Sequence, residues 1–334
     1  MTFEATGAAV AFVASLMLAP GCRWLARREK ILDRPGGRKH HAAPTPLLGG
    51  LAVAGGVVLA LVLVGPETTP LLRLLPALAL ALILGVTDDI REMTAHGKAA
   101  GQAVASALAV AALPELLAPH ITGLRAADFL LAAAFLVGMM NAVNFADTFD
   151  GLCALTSAAI LGVSGTLATS PDVRLVAFAG AAACIGFLPW NLSARRKLFL
   201  GDTGSLFLGL LIGAVALIVA GDYESVARPE MIPLFLCGVP IVDATTVALH
   251  RVLARRPIVV GGRDHLSHRL VLAGLTPKVA VLALAACSGA TAALTHAYVS
   301  LQGPARTTLV AASWIAASAV IAVSLRSRVY AQRD

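Results

Sequence analysis

Residues 204–221 read Gly-Ser-Leu-Phe-Leu-Gly-Leu-Leu-Ile-Gly-Ala-Val-Ala-Leu-Ile-Val-Ala-Gly, a stretch without a single charged side chain. A run of this kind can cross a bilayer as one α-helix, since about 20 apolar residues span the hydrocarbon core. The rest of the chain is similar: 58% of its 334 residues are hydrophobic and 13% are charged, and its mean hydropathy is +0.82. Soluble domains carry about 25% charged residues, so the sequence predicts an integral membrane protein.

Apolar segments of spanning length recur along the whole chain. We place about eleven of them near residues 5–22, 48–65, 70–87, 98–114, 127–145, 151–169, 174–190, 204–221, 231–250, 277–297 and 306–325. The polar stretches between them are at most about 25 residues long, too short for a soluble domain. The first segment has no small-residue cleavage site followed by a soluble domain, so we interpret it as an anchor. We therefore expect an all-α, polytopic membrane protein with about 10 or 11 transmembrane helices and one domain over residues 1–334.

Basic residues predict the orientation of these helices. With the N-terminus outside, 21 of the 26 lysines and arginines fall in the inside segments, which are 23–47, 88–98, 191–202, 251–278 and 326–334. The positive-inside rule favours this topology. The same distribution explains the net charge of +7 without nucleic-acid binding.

Small residues are abundant between the charged segments. Alanine and glycine would allow helices to approach closely in lipid, but a GC-rich genome would produce the same composition, and the sequence leaves both explanations open. The five cysteines show no CxxC spacing, so we expect small core residues rather than a metal site or disulfides.

Acidic and polar motifs gather at the predicted cytoplasmic ends of the apolar segments. They stand at Asp88-Asp89, Asn141–Gly151, Asp202, Asp243 and Asp264–His268. A carboxylate at the centre of a membrane helix costs roughly 2.5–3.5 kcal/mol, so such groups indicate function. Carboxylates at one membrane face, beside arginines and histidines, suggest a divalent metal that holds a phosphorylated substrate. A transporter would instead place ionisable groups along a transmembrane path.

The Asp88-Asp89 pair closes the third segment. Adjacent residues on a helix point about 100° apart, so the two carboxylates cannot hold one ion equally. We expect a division of labour, with one carboxylate toward metal or nucleophile and the other toward a supporting partner; a polar helix end is the alternative. Lys98 could return across the site to meet phosphate, or it could be an interfacial lysine.

A second motif places Asn141, Asn144, Asp147 and Asp150 three residues apart. This spacing keeps the four side chains broadly on one side of a helix end, where they could coordinate Mg²⁺ and contact a base or ribose. A simple helix terminus is the competing explanation.

The stretch Phe199-Leu-Gly-Asp-Thr-Gly-Ser-Leu206 places Asp202 between glycines, just before the eighth segment. The glycines allow a phosphate or base to approach the backbone, and a helix N-terminus favours an anion. The alternative for Asp202 is a helix cap. Asn191, at the end of the preceding segment, is a further candidate ligand.

Two basic loops complete the set. The loop Gly261–Leu270 contains Arg263, His265, His268 and Arg269. No third ligand with zinc-site spacing accompanies the histidines, so we favour phosphate recognition, with an anionic-lipid contact as the alternative. The stretch 33–50, which contains Lys39, has the same ambiguity.

Together these motifs resemble those of the polyprenyl-phosphate N-acetylhexosamine-1-phosphate transferases, glycosyl transferase family 4. The resemblance covers residues 33 to 275 and rests on five pieces in family order: RK-x-H-x-x-P-x-P-x-x-GG, the Asp-Asp pair, NxxNxxDxxDGL, FxGDxGS and the His-rich loop. It implies transfer of a sugar-1-phosphate from a UDP-sugar to a polyprenyl phosphate, with release of UMP and with Mg²⁺, for which Mn²⁺ can substitute.

The resemblance also implies roles for individual residues. Asp202 and Asn144 would hold the metal, and Asp88 and Asp89 would serve the lipid-phosphate nucleophile beside Lys98. The implied substrate contacts are the nucleoside pocket of Asp147, Asp150 and Phe199, the phosphate contacts of Arg263, His265, His268 and Arg269, and the polar residues Lys39, Asn141 and Asn191.

Two positions depart from the family pattern. Thr148 stands where glycine or asparagine is common, and Ser267 interrupts a run that is often His-Leu-His-His. The signature of the peptidoglycan phospho-MurNAc-pentapeptide translocase is absent. We therefore expect transfer of GlcNAc-1-phosphate, or a related HexNAc-1-phosphate, at the inner (plasma) membrane. Translocase-like activity and a non-enzymatic membrane transporter are the alternatives; a homodimer is compatible with the sequence.

Overall fold

The computed structural model describes residues 2–34, 44–66, 69–117, 121–257 and 262–326. In chain order the helices are α1 (Phe3–Arg28), α2 (Gly49–Val64), α3 (Leu75–Ile90), α4 (Ala95–Ala112), α5 (Pro114–Leu117), α6 (Arg125–Ala146), α7 (Leu152–Leu167), α8 (Pro171–Asn191), α9 (Gly201–Gly221), α10 (Met231–Leu236), α11 (Gly238–Leu253), α12 (Leu266–Leu272), α13 (Pro277–Ser300) and α14 (Gly303–Arg326). A 3-10 helix, Pro70–Leu74, leads into α3.

The helices confirm the all-α, polytopic prediction. In the described part of the chain, seven helical stretches are long and apolar enough to cross a membrane, namely α1, the 3-10 helix with α3, α6, α8, α9, α13 and α14. Helices α2 and α7 are apolar but have only 16 residues. Helices α4 and α11 occupy the two remaining predicted segments. The orientation and the count of eleven spans remain predictions.

Helix α9 is the centre of the bundle. Every residue from Gly201 to Ala220 is buried except Asp202, which is partly exposed. Helices α2, α3, α6 and α10 pack around it. The candidate metal ligand is therefore the partly exposed residue within this otherwise buried stretch of α9.

Glycines bring the neighbouring helices against the start of α9. A Cβ atom on Gly50 of α2 would lie 2.1 Å from the backbone nitrogen of Gly204, and one on Gly85 of α3 would lie 2.4 Å from the carbonyl oxygen of Asp202. No side chain fits at either contact. Close helix approach, the first of the two explanations for the small residues, therefore operates here.

A short antiparallel ribbon is the one non-helical element among the described residues. Strand β1 (Leu32–Asp33) pairs with β2 (Thr45–Pro46). The carbonyl of Pro46 accepts from the backbone N–H of Phe199 at 2.9 Å, so the ribbon is tied to the loop before α9. Lys39 lies between the strands, outside the described residues.

Candidate functional site

Asp202 lies at the centre of a polar cluster at one end of the bundle. Its Oδ1 accepts a hydrogen bond from Asn144 Nδ2 at 2.9 Å, and its Oδ2 forms an ion pair with Lys98 Nζ. Asn144 Nδ2 also donates to Ser205 Oγ at 2.8 Å, one turn further along α9. The ends of α4, α6 and α9 therefore converge on one carboxylate.

Asp88 joins this cluster through the same lysine. Its Oδ2 accepts from Lys98 Nζ at 3.1 Å, and its Oδ1 accepts from the backbone N–H of Met93 at 2.7 Å. The second bond fixes the turn between α3 and α4, and thereby the position from which Lys98 reaches back. Lys98 thus reaches back to two carboxylates of the cluster, and its contact with phosphate stays a prediction.

Asp89 points the other way and caps α9. Its two oxygens accept from the backbone N–H groups of Asp202 (2.9 Å) and Thr203 (3.1 Å) and from the Thr203 hydroxyl (2.6 Å). Gly201, with φ of +71°, permits the approach, because a Cβ atom there would lie 2.5 Å from Asp89 Oδ2. The two carboxylates thus have different partners: Asp88 meets Lys98, and Asp89 anchors the helix that carries Asp202. The nucleophile role of Asp89 stays a prediction.

Asp147 adds further negative charge beside the cluster. Helix α6 ends at Ala146 and Asp147 is its C-terminal cap residue, so the three-residue spacing does not continue as helix to Asp147 and Asp150. The Asp147 side chain is exposed at its surface, while protein atoms crowd around its carboxyl group. Partial desolvation by these atoms raises the pKa of Asp147 to about 8, and the negative charges of Asp202 and Asp89 add to the rise.

The donor set is compatible with a hard divalent cation. Within the described ranges, no three acidic, histidine or cysteine side chains form a ready-made metal cage. Mg²⁺, however, usually takes one or two protein carboxylates and completes its shell with water and substrate phosphate. Asp202 offers such a carboxylate and Asn144 offers an amide oxygen. The cluster holds more carboxylates than the single positive charge of Lys98 can neutralise. Asp202 and Asn144 could hold the ion.

Two amides predicted to bind substrate have structural partners. Asn141 Nδ2 donates to Gln102 Oε1 on α4 at 2.8 Å and to the carbonyl of Val137. Asn191 Oδ1 accepts from the backbone N–H of Gly151 at 2.6 Å, and its Nδ2 donates to a loop carbonyl. Asn141 thus joins α6 to α4, and Asn191 joins the start of α7 to the loop before α9. A substrate contact by either residue stays a prediction.

Asp150 and Phe199 share one neighbour, Lys197. Lys197 Nζ lies 2.5 Å from Asp150 Oδ2 and 5.8 Å from the centroid of the Phe199 ring. Phe199 is half-buried, and its backbone is held by Pro46 and Gly49. Lys197 therefore joins Asp150 to Phe199, and a nucleoside contact by either residue stays a prediction.

Two side chains of α11 fix the His-rich loop in place. Arg251 makes a two-pronged ion pair with Asp264, with both N···O distances 2.8 Å and both side chains buried. Asp243 Oδ2 lies 2.9 Å from His265 Nδ1, and its Oδ1 accepts from the backbone N–H of Leu266 at 2.6 Å. The start of α12 is therefore fastened at three consecutive residues.

The other face of the loop meets the end of α6. The Phe145 and His265 rings lie 5.6 Å apart edge to face, and the Phe149 and His268 rings lie 4.8 Å apart. His268 is thereby placed beside the Asn141–Leu152 motif.

The two predicted phosphate-binding arginines differ in their surroundings. Arg269 is buried, where Nε donates to the carbonyl of Asp264 at 2.7 Å and Nη1 donates to the carbonyl of Ser324 on α14. Arg263 is half-buried. Arg269 thus holds the loop in place, and its phosphate contact stays a prediction, as does that of Arg263.

Some site residues received no role from sequence alone. Asp243 is recognisable in the sequence as a carboxylate inside an apolar segment, but its partner, His265, lies 22 residues away. Gln102, Thr203 and Arg251 carry no such signal, because each is an ordinary residue until the fold brings its partner close.

The comparison with known proteins agrees with the geometry. Residues 71–220 match glycosyl transferase family 4. The chain is 32% identical over 295 residues to the probable undecaprenyl-phosphate N-acetylglucosaminyl 1-phosphate transferase of Bacillus subtilis, with 82% of this chain and 80% of the relative covered. It is 32% identical to the decaprenyl-phosphate N-acetylglucosaminephosphotransferase of Mycobacterium tuberculosis, with 78% and 74% covered.

Similarity extends to a second kind of relative. The chain is 31% identical over 306 residues to the phospho-N-acetylmuramoyl-pentapeptide-transferase of Saccharopolyspora erythraea, with 75% of this chain and 82% of the relative covered. Since the alignments extend over most of each protein, the chain belongs to glycosyl transferase family 4, the polyprenyl-phosphate N-acetylhexosamine-1-phosphate transferases.

Proposed function

We propose that this protein transfers GlcNAc-1-phosphate, or a related HexNAc-1-phosphate, from a UDP-sugar to undecaprenyl or another polyprenyl phosphate, with release of UMP. The observation that carries the proposal is the Asp202 cluster. Lys98 and Asn144 contact this carboxylate directly and Asp88 joins it through Lys98, at the one partly exposed residue of the buried part of α9.

The reaction joins two anionic phosphates. An oxygen of the polyprenyl phosphate attacks the β-phosphorus of the UDP-sugar, and the bond from that phosphorus to the bridging oxygen breaks, so UMP leaves with the electron pair. Phosphoryl transfer of this kind depends mainly on positioning and charge neutralisation. A bound Mg²⁺ would supply Lewis-acid neutralisation of the diphosphate at Asp202 and Asn144.

The protein's own residues divide the remaining tasks. Lys98 brings positive charge to the reacting phosphates, and Asp88 orients it or meets the lipid phosphate. Asp147, Asp150 and Phe199 bind the nucleoside. The loop with Arg263, His265, His268 and Arg269 lies against the nucleoside segment and contacts the phosphates. Lys39 is assigned to the same substrate but lies outside the described residues.

The membrane supplies the geometry for two unlike substrates. The basic residues favour a cytoplasmic location for the cluster in the inner (plasma) membrane. A UDP-sugar is soluble and reaches that face from water, whereas a polyprenyl phosphate arrives from within the bilayer. A cluster at helix ends is accessible to both.

The donor sugar has a second candidate. Identity to the phospho-N-acetylmuramoyl-pentapeptide-transferase (31%) nearly equals identity to the GlcNAc-1-phosphate transferases (32%), so overall similarity does not choose between them. We favour the smaller donor because the His-rich loop is short and offers no acidic or aromatic extension for a peptide. A bound pentapeptide would leave polar groups desolvated, at roughly 1–3 kcal/mol each.

One assay tests the proposal. Purified protein is mixed with undecaprenyl phosphate, Mg²⁺ and, in parallel, UDP-GlcNAc, UDP-GalNAc or UDP-MurNAc-pentapeptide, and released UMP is measured. We expect UDP-GlcNAc or a close N-acetylhexosamine donor to react fastest, and EDTA to abolish turnover until Mg²⁺ or Mn²⁺ is restored. Faster turnover of the pentapeptide donor would move the chain to the second candidate; full activity in EDTA would contradict the metal-assisted mechanism.

A further inference from the structure

The two positions that depart from the family pattern touch each other. Thr148 Oγ1 lies 2.7 Å from Ser267 Oγ, a hydrogen bond between residues 119 apart in sequence. Ser267 is buried with 1% of its surface exposed, and Thr148 is half-buried. Breaking this bond is costly on the Ser267 side, because the buried serine oxygen would lose its partner without gaining water.

Neighbouring contacts make this bond part of a continuous seam. The Phe145–His265 contact lies on one side of it and the Phe149–His268 contact on the other. Behind the seam, Asp243 and Arg251 fix the His-rich loop to α11. Because that side is fastened, the Thr148–Ser267 bond, together with the two ring contacts, fixes the segment after α6 against the loop.

We propose that Thr148 and Ser267 form a clamp that positions the two halves of the nucleotide-sugar site, an inference that rests on the proposed function. Thr148 directly follows Asp147 in the nucleoside segment, and Ser267 lies between His265 and His268 in the phosphate loop. The clamp sets the spacing between these two groups. A nucleoside diphosphate spans both groups and is sensitive to that spacing, whereas polyprenyl phosphate contacts no nucleoside segment.

Two substitutions remove the hydrogen bond while changing side-chain volume little. Thr148→Val keeps the shape and removes the hydroxyl, and Ser267→Ala does the same from the other side. Each should raise the KM for the UDP-sugar and the Kd for UMP by about 3- to 10-fold, the ratio that corresponds to one net hydrogen bond. The KM for polyprenyl phosphate should stay within about twofold of wild type.

Matched variants provide the controls. Thr148→Ser retains the hydroxyl and should restore wild-type KM. Thr166→Val removes an exposed threonine hydroxyl at the far end of α7, where Thr166 Oγ1 lies 2.9 Å from His296 Nε2, and should leave the KM for both substrates unchanged. The double variant Thr148→Val/Ser267→Ala should be no worse than either single variant, since all three lack the same bond.

The experiment measures UMP release across both substrate concentrations, and UMP binding by calorimetry, on the purified full chain. Wild-type donor affinity in Thr148→Val, additive losses in the double variant, or equal increases in the KM of both substrates would overturn the clamp. If wild-type protein released no UMP from any UDP-sugar, the proposed function would fail instead, and the UMP binding data would still test the clamp.

Discussion

Asp89 accepts a hydrogen bond from the backbone N–H of Asp202 at 2.9 Å, so one carboxylate of the Asp-Asp pair fixes the helix end that carries the central carboxylate of the site. Asp89 also accepts from the backbone N–H of Thr203, so it pairs two of the N–H groups that the start of a helix leaves without an intrahelical partner. Asp88, its sequence neighbour, instead meets Lys98. Adjacent identical residues thus have different physical tasks.

This division predicts different losses for the same substitution. Asp88→Asn removes the charge next to Lys98 but keeps an oxygen for the N–H of Met93, so UMP release should fall sharply while thermal unfolding in detergent is unchanged. Asp89→Asn removes a capping charge and should destabilise the protein by about 1 kcal/mol, with a lower unfolding midpoint. Identical midpoints for the two variants would contradict the anchoring role of Asp89.

Asp202 should be indispensable for turnover but not for folding. Asp202→Asn removes a hard anionic ligand and the partner of Lys98, so we expect UMP release to fall by about 100-fold or more. Asp222→Asn is the matched control, because Asp222 caps the other end of α9 and accepts from the backbone N–H of Thr169 at 2.8 Å. Its activity should remain near wild type. Substantial turnover by Asp202→Asn at ordinary Mg²⁺ would remove Asp202 from the metal shell.

Local properties were predictable from the sequence. The apolar segments coincide with helices because bilayer-length hydrophobic runs leave the backbone few alternatives. The clustering of Asp88, Lys98, Asn144 and Asp202 was also predictable, since each stands at the same end of its segment.

Partners across the bundle were not predictable. Asn141 faces Gln102, and His265 meets Asp243, because α6 packs on α4 and α11 packs behind the loop. Helical periodicity shows which residues share a face, not which helix that face meets. The predicted segment 127–145 ends where α6 does, but the helical spacing predicted for Asp147 and Asp150 is wrong, because both residues follow the helix end at Ala146.

The contact between α3 and α9 should tolerate no side chain at Gly85. Gly85→Ala places a Cβ atom 2.4 Å from the carbonyl oxygen of Asp202, and such overpacking costs typically about 1–3 kcal/mol. We expect a lower unfolding midpoint and reduced UMP release. Gly162→Ala in α7 meets no atom within 4 Å and should be neutral or stabilising. Similar behaviour of the two variants would show that the close helix approach is dispensable.

The orientation can be tested with cysteines introduced into a cysteine-free variant. Ala194, in a predicted inside segment, and Ile121, in a predicted outside connection, are both exposed. A membrane-impermeant thiol reagent applied from outside intact cells should label Ile121→Cys and not Ala194→Cys. Inverted vesicles should give the opposite result. Labelling of Ala194→Cys from outside would overturn both the topology and the cytoplasmic site.

The Asp243–His265 pair should act as a unit. Both oxygens of Asp243 are used, one by His265 Nδ1 and one by the backbone N–H of Leu266. Asp243→Asn has only one acceptor oxygen, so the ring or the start of α12 loses its bond, and UMP release should fall by about 10-fold, the effect of losing one hydrogen bond to a charged group.

The double-mutant cycle distinguishes orientation of His265 from a general loss of packing. If Asp243 acts through the ring, Asp243→Asn combined with His265→Gln should be about as active as His265→Gln alone. Thermal unfolding of all three variants is measured alongside UMP release. Multiplicative losses in the double variant would mean that Asp243 serves the loop backbone rather than the histidine, because the second substitution would then still remove an independent contribution.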